Sequence, residues 1–275
     1  MTSRLVLWPS LAGLVFLAIG LTTVRKQLSF YPGKLIAVGP AFLASALAAF
    51  GAEHFVAARS IARIVPAWMP GPLFWTCFTG IALLAAAASL ALARYVRLAA
   101  TLLGVMFLLF VLLIQLPNVV ANPGQRLTWT ILLRDLSFAG GAWALAGGRR
   151  AAIGRMWIAV ALIFFAVQYF LHPEIAPGVP LPKLTPAWVP LRLFWGYPMG
   201  ALLLPAGVAV LVKRRARLAA TWLAMAVTVS VILIYIPLMA LAPTVEALNY
   251  VFDTLLFAGT ICVLAQTSPH GQVSK

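Results

Sequence analysis

The sequence predicts an all-α fold, a polytopic bundle of transmembrane helices, and three observations carry that expectation. Of the 275 residues, 63% are hydrophobic and 9% are charged, with a mean hydropathy of +1.02. That leaves too little polar surface to clothe a water-soluble globule. Nine stretches approach the roughly 20 apolar residues that a helix needs to cross a bilayer. A block of the chain is also written twice, at a period of 120 residues, several-fold longer than the repeat of a soluble solenoid. Membrane β-strands would be about half as long and would alternate; the run 102–114 shows no alternation.

In chain order the segments are 5–24, 35–58, 73–93, 98–116, 127–145, 156–171, 193–212, 218–236 and 247–265. The first has no clear small-x-small cleavage site, and its positive cluster, Arg25-Lys26, follows the apolar run, so it reads as a retained helix rather than a signal peptide. Pro66 and Pro70 prevent a continuous helix between the second and third segments. Gly147-Gly148-Arg149-Arg150 is a short turn between the fifth and sixth. If the helices simply alternate, 13 basic residues fall on one side against six on the other (Arg4, Arg59, Arg63, Arg126, Lys183 and Arg192), with Arg134 inside a helix. The positive-inside rule then places the N-terminus outside and the C-terminus in the cytoplasm. It also accounts for the net charge of +15 without a nucleic-acid partner; the partners implied are membrane lipids. Trp8, Trp75, Trp129 and Trp195 at outer helix ends, and Trp143, Trp157 and Trp222 towards inner ones, fit the same map.

The duplication sets the domain organisation. Pro66-Ala67-Trp68, Pro70 and Leu73-Phe74-Trp75 reappear as Pro186-Ala187-Trp188, Pro190 and Leu193-Phe194-Trp195, and Arg97-Leu98-Ala99-Ala100-Thr101 as Arg217-Leu218-Ala219-Ala220-Thr221. Residues 1–30 form an extra N-terminal helix, 31–150 a first four-helix repeat, 151–267 a second, divergent one, and 268–275 a cytoplasmic tail. Four helices is an even number, so the halves insert in the same orientation and are related by an axis along the membrane normal. Within each half an external loop carries the Pro-Ala-Trp-x-Pro segment (Pro66 and Trp68; Pro186 and Trp188). Such a loop is either an interfacial turn or a lid over a cavity. The second version, 172–190, is five residues longer, because Glu53-His54-Phe55 aligns with Gln168-Tyr169-Phe170 at an offset of 115.

Five acids occur in the chain: Glu53, Asp135, Glu174, Glu246 and Asp253. Ionisable groups inside a membrane are expensive, so Glu53-His54 and Arg134-Asp135, all in the outer half of the bilayer, are the candidate cluster. The first and last helices of a four-helix bundle are commonly neighbours. Arg134 is therefore expected to pair with Glu53, and Asp135 to orient His54. Two readings stay open: a buried ion-pair network that fixes helix register, and a site where His54 and a carboxylate exchange protons with a lipophilic ligand such as a quinone. Haem ligation by His54 and His172 has no spacing motif behind it. In the second repeat Gln168-Tyr169 and Asp253-Thr254 stand at the matching positions, which places any site in the first. Cys77 and Cys262 form no Cys-x-x-Cys pair, and no metal-ligand spacing, nucleotide loop or flavin fingerprint is present.

Gly51-Ala52-Glu53-His54-Phe55, Val65-Pro66-Ala67-Trp68-Met69-Pro70 and Leu73-Phe74-Trp75 resemble the DoxX-like family of small bacterial membrane proteins. Arg97-Leu98-Ala99-Ala100, Leu116-Pro117-Asn118-Val119 and Arg134-Asp135-Leu136 to Gly140-Gly141 continue the likeness. The resemblance implies a four-helix unit, here doubled, in the bacterial cytoplasmic (inner) membrane. Family namesakes are similar to the membrane part of a thiosulfate:quinone oxidoreductase, which implies a quinone as cofactor and a redox partner protein supplying electrons. No other cofactor is evident. The chain departs from the family in being double and in lacking the polar cluster in its second repeat. The expectation is a membrane subunit or small-molecule-binding component of quinone-linked redox or stress metabolism, without a catalytic motif of its own and so not a stand-alone enzyme. A carrier for a small lipophilic solute and a non-catalytic assembly or envelope factor are the alternatives.

Overall fold

The computed structural model describes residues 2–25 and 32–268; Lys26 and the tail beyond Ser268 lie outside the described residues. The described chain is helical, with no strand beyond one isolated antiparallel bridge, Ile175 to Leu184. The helices are α1 (Thr2–Val24), α2 (Gly39–Val56), α3 (Pro72–Ala91), α4 (Val96–Ala121), α5 (Arg126–Ala146), α6 (Gly148–Leu171), α7 (Gly196–Leu211), α8 (Ala216–Leu241) and α9 (Val245–Thr267). Seven helices among the described residues are long and apolar enough to cross a membrane. The other two are α7, apolar but of 16 residues, and α5, of 21 residues but carrying Arg126, Arg134 and Asp135. The outer faces of α4 (Leu98, Leu102, Leu109) and α8 (Leu218, Val229, Ile232) are exposed and apolar. A continuous surface of that kind is stable against lipid and not against water.

Local chemistry sets the ends. Gly71, with φ 67°, supplies a left-handed turn directly before Pro72, whose fixed φ suits the first helical position. Between α3 and α4, Ala93 and Tyr95 take φ of 52° and 55°; between α7 and α8, Lys213 and Arg215 take 55° and 52°. The recurrence continues. Both α4 and α8 widen into a π-helical turn, Val111–Gln115 and Val231–Tyr235, just ahead of Pro117 and Pro237. The extra residue of a π-turn lets a helix run past a proline that would otherwise end it. The indole of Trp75 donates to the Pro70 carbonyl at 3.0 Å and that of Trp195 to the Pro190 carbonyl at 2.7 Å.

The core runs down two helices. Of the apolar window of α9, 94% is buried, against 22% for α1, which lies on the periphery against α2 and α3. Helix α9 packs between α2 and α8, and α5 packs between α4 and α6, with α5 and α9 facing each other. Glycines set two close contacts: Gly140 on α5 meets Gly154 on α6, and Gly259 on α9 meets Gly39 on α2. Small residues let backbones approach where no water-driven force pushes helices together. This arrangement corrects the expectation that α2 and α5, first and last helices of the first repeat, are neighbours. Helix α2 lies along α9 instead, and α5 along α6, because the glycine surfaces that permit close approach sit on those faces.

Candidate functional site

Helices α5 and α9 meet twice in one register. Arg134 reaches Asp253, and Gly141 faces Thr260. The separation is 119 residues in the first pair and the same in the second, so the difference between the numbers is constant and the helices run in parallel. Arg134 and Asp253 each lie eight residues beyond the first residue of their helix, or about 12 Å along it. They are therefore level.

A charged cluster is built on this crossing. The Arg134 Nη1 donates to Asp253 Oδ2 at 2.9 Å; its Nε and Nη2 donate to Asp135 Oδ1 at 3.0 and 2.9 Å. The second oxygen of Asp135 accepts from Gln115 Nε2 at 2.9 Å. Gln115 is the last residue of the π-turn in α4. Glu53, on α2, accepts from the Asn249 amide of α9 at 3.3 Å. Glu53, Asp135 and Asp253 are 8%, 4% and 7% exposed, so three of the five acids in the chain lie in its core. One guanidinium serves two of them. The third, Glu53, has a neutral amide as its partner.

Several sequence expectations are corrected here. Arg134 pairs with Asp135 and Asp253 rather than with Glu53, because α2 packs on α9 and not on α5. Asp135 does not orient His54. The His54 Nδ1 lies 2.8 Å from the Phe50 carbonyl of its own helix, and its Cβ lies against Gly80 on α3. Successive helical residues point about 100° apart, so Glu53 faces α9 while His54 turns towards α3. Nor is the cluster confined to the first half, since Asp253 and Asn249 come from α9. The sequence reasoning passed over Gln115, Asn249 and Asp253 as partners. The signal was available: Arg134 and Asp253 align at the repeat offset, and opposite charges at equivalent positions of parallel helices can meet directly.

The two loops end up differently. Trp68 and Trp188 are 70% and 48% exposed, at the same end of the bundle and outside the cluster, with Pro66 and Pro186 beside them. Upstream of Pro186, residues 175–181 are buried. The Ala176 carbonyl accepts from the hydroxyls of Tyr169 at 2.8 Å and Tyr235 at 3.3 Å. The Pro180 carbonyl accepts from Arg126 at 2.8 Å. Gly178, at φ 139°, sits so close to Thr254 that a Cβ there would collide with its methyl group. The loop is folded back on itself by hydrogen bonds between Ala176 and Lys183 and between Thr185 and Glu174. It thereby plugs the space between α5, α6, α8 and α9.

Residues 43–131, from α2 into the start of α5, match a family model described as a domain of unknown function (DUF8561). No curated protein and no solved structure matches the chain.

Proposed function

We propose that this chain is a DoxX-like protein of the bacterial cytoplasmic membrane, with nine spans, the N-terminus outside and the C-terminus in the cytoplasm. It consists of an N-terminal helix and two four-helix repeats of parallel orientation. Its function is to bind a small lipophilic molecule of quinone type at the cluster between α2, α5 and α9, exchanging protons with it while a partner protein handles the electrons. The π-turns, the left-handed turn residues and the two glycine contacts, each recurring between the halves, support the duplication. The parallel crossing of α5 and α9 supports an axis along the membrane normal.

The observation that carries the functional reading is the imbalance of the cluster. A network that served only to fix helix register would match its buried charges, because an unpaired charge in the membrane interior is expensive. Here two carboxylates, Asp135 and Asp253, share one guanidinium, and the third buried carboxylate, Glu53, is left with an amide. A carboxyl group in that position is suited to take up or release a proton and to accept a ligand hydroxyl. The test is to purify the full chain gently, extract it and analyse the extract by mass spectrometry, beside a Glu53→Gln variant that keeps the shape and the Asn249 contact. A quinone-type molecule retained by the parent chain and lost from folded Glu53→Gln supports the proposal. Equal retention by both, or no bound small molecule in either, defeats it.

One observation favours the second reading, a carrier for a lipophilic solute. The π-turns of α4 and α8 are local breaks at matching depths, and Gln115 of the first is hydrogen-bonded into the cluster. Counterflow of a labelled solute in proteoliposomes would distinguish a carrier from a binding subunit.

A further inference from the structure

The second half holds a carbonyl of its own chain between two tyrosines whose first-half equivalents are partly exposed. In the second half Tyr169 and Tyr235, 0% and 1% exposed, clasp the Ala176 carbonyl between their hydroxyls. The equivalent of Tyr169 is His54, at the offset of 115 that also carries Gly39 onto Gly154 in the glycine contacts; the equivalent of Tyr235 is Gln115, at the offset of 120 shared by the π-turns. The loop that supplies Ala176 is five residues longer than its first-half counterpart, the difference between those offsets. Accordingly His54 and Gln115 are both partly exposed.

The chemistry at the two places is inverted. Tyr169 and Tyr235 are donors that hold a carbonyl oxygen. His54 has already committed its Nδ1 hydrogen to the Phe50 carbonyl, which can only accept. The neutral imidazole is therefore fixed in the tautomer whose Nε2 bears a lone pair. Gln115 has committed one amide N–H to Asp135 and retains its carbonyl oxygen and a second N–H. Where the second half offers two hydroxyl hydrogens, the first offers the acceptor nitrogen of His54.

We propose that the open counterpart in the first half binds the hydroxyl of a lipophilic phenol or hydroquinone, donated to His54 Nε2 at the place where the second half seats Ala176. This rests on the reading of the cluster as a lipophilic-ligand site and adds that the hydroxylated form is the one selected. The loop 175–181 is the chain's internal stand-in for that ligand and keeps the second half closed to it.

The test uses the full chain in lipid nanodiscs with three probes, 4-octylphenol, 4-octylanisole and duroquinone, each measured against empty nanodiscs to remove partitioning. The phenol and the anisole differ by O–H against O–CH3. The expected result is a preference of about two- to tenfold for the phenol, the size of one net hydrogen bond. His54→Phe, which keeps the Cβ against Gly80 and an aromatic ring beyond it, should abolish that preference without changing the thermal unfolding midpoint. Equal affinity for phenol and anisole overturns the inference on the parent chain alone, so the test stands even if His54→Phe fails to fold. A preference that survives in folded His54→Phe overturns it as well. Binding of duroquinone without a preference for the phenol sinks this inference and leaves the broader proposal standing; binding of none of the three sinks both.

Discussion

Replacing Arg134 by methionine removes one cation and strands two carboxylates. The guanidinium makes contacts of 2.9 to 3.0 Å to both Asp135 and Asp253, which are 4% and 7% exposed. Breaking a buried pair from one side costs about 3–5 kcal/mol, since a charge is left in a poor solvent. Replacing the whole set by uncharged residues of similar size is close to neutral. Arg134→Met alone should therefore lose about 3–5 kcal/mol, roughly two to four decades in the folding equilibrium. The triple variant with Asp135→Asn and Asp253→Asn should return to within about 1–2 kcal/mol of the parent. Both can be unfolded by SDS titration in mixed micelles. The probe is the near-ultraviolet circular dichroism of Trp143 and Trp157, stacked at 4.7 Å towards the other end of the bundle, so that it reports global packing rather than the altered site. A triple variant as unstable as the single one would refute the argument, and so would an Arg134→Met protein as stable as the parent.

Three further outcomes are expected. Tyr169→Phe and Tyr235→Phe each remove one hydroxyl from the Ala176 carbonyl, and each should cost about 0.5–1.5 kcal/mol; the double variant should lose hydrogen-exchange protection at residues 175–181, and unchanged protection would show that the hydroxyls do not hold the loop. An alanine at Gly140 would drive its Cβ to 2.5 Å from the Gly154 carbonyl, whereas one at Gly259 would lie 3.0 Å from the Gly39 carbonyl. Gly140→Ala should thus destabilise by about 1–3 kcal/mol and more than Gly259→Ala in the same titration, and the reverse order would contradict the packing described. Cysteines placed at Gly124, where a side chain meets nothing within 4 Å, and at the exposed Arg214 should label from opposite faces of intact spheroplasts; labelling of both from one face would overturn the proposed topology.

Much of the helix pattern was legible in the sequence because hydropathy is additive along a chain. Segment 127–145 became Arg126–Ala146 and 247–265 became Val245–Thr267. The misses have local causes. Arg149, Arg150 and Arg155 hid the first turns of α6, which begins at Gly148 rather than near 156. Pro117 looked like the end of α4, but the π-turn before it carries the helix on to Ala121. Leu193 and Trp195 are apolar enough to count as helix yet lie in the turn that precedes Gly196. Partner choice was the least legible part. Which helix α2 packs against depends on Gly39 meeting Gly259, 220 residues further along the chain, and no window of hydropathy contains both. Glu53, Arg134 and Asp135 were recognisable as costly residues, but Asp253 sits in α9 among apolar neighbours and declares its role only when the halves are laid on each other.

Under the proposed duplication, the contact of Arg134 with Asp253 bears on how the two halves came to be joined. Two identical units docked about a twofold axis must present the same residue to each other on that axis. Arginine would face arginine, or aspartate would face aspartate, and either pairing repels. Opposite charges at that point are open only to units that are no longer copies of one another, and covalent fusion keeps such units together. Once the axis carries a cation from one half and an anion from the other, neither half can return to life as a symmetric pair. On this view the ion pair acts as a ratchet as well as a fastening, holding the two halves to a shared history as well as to a shared fold.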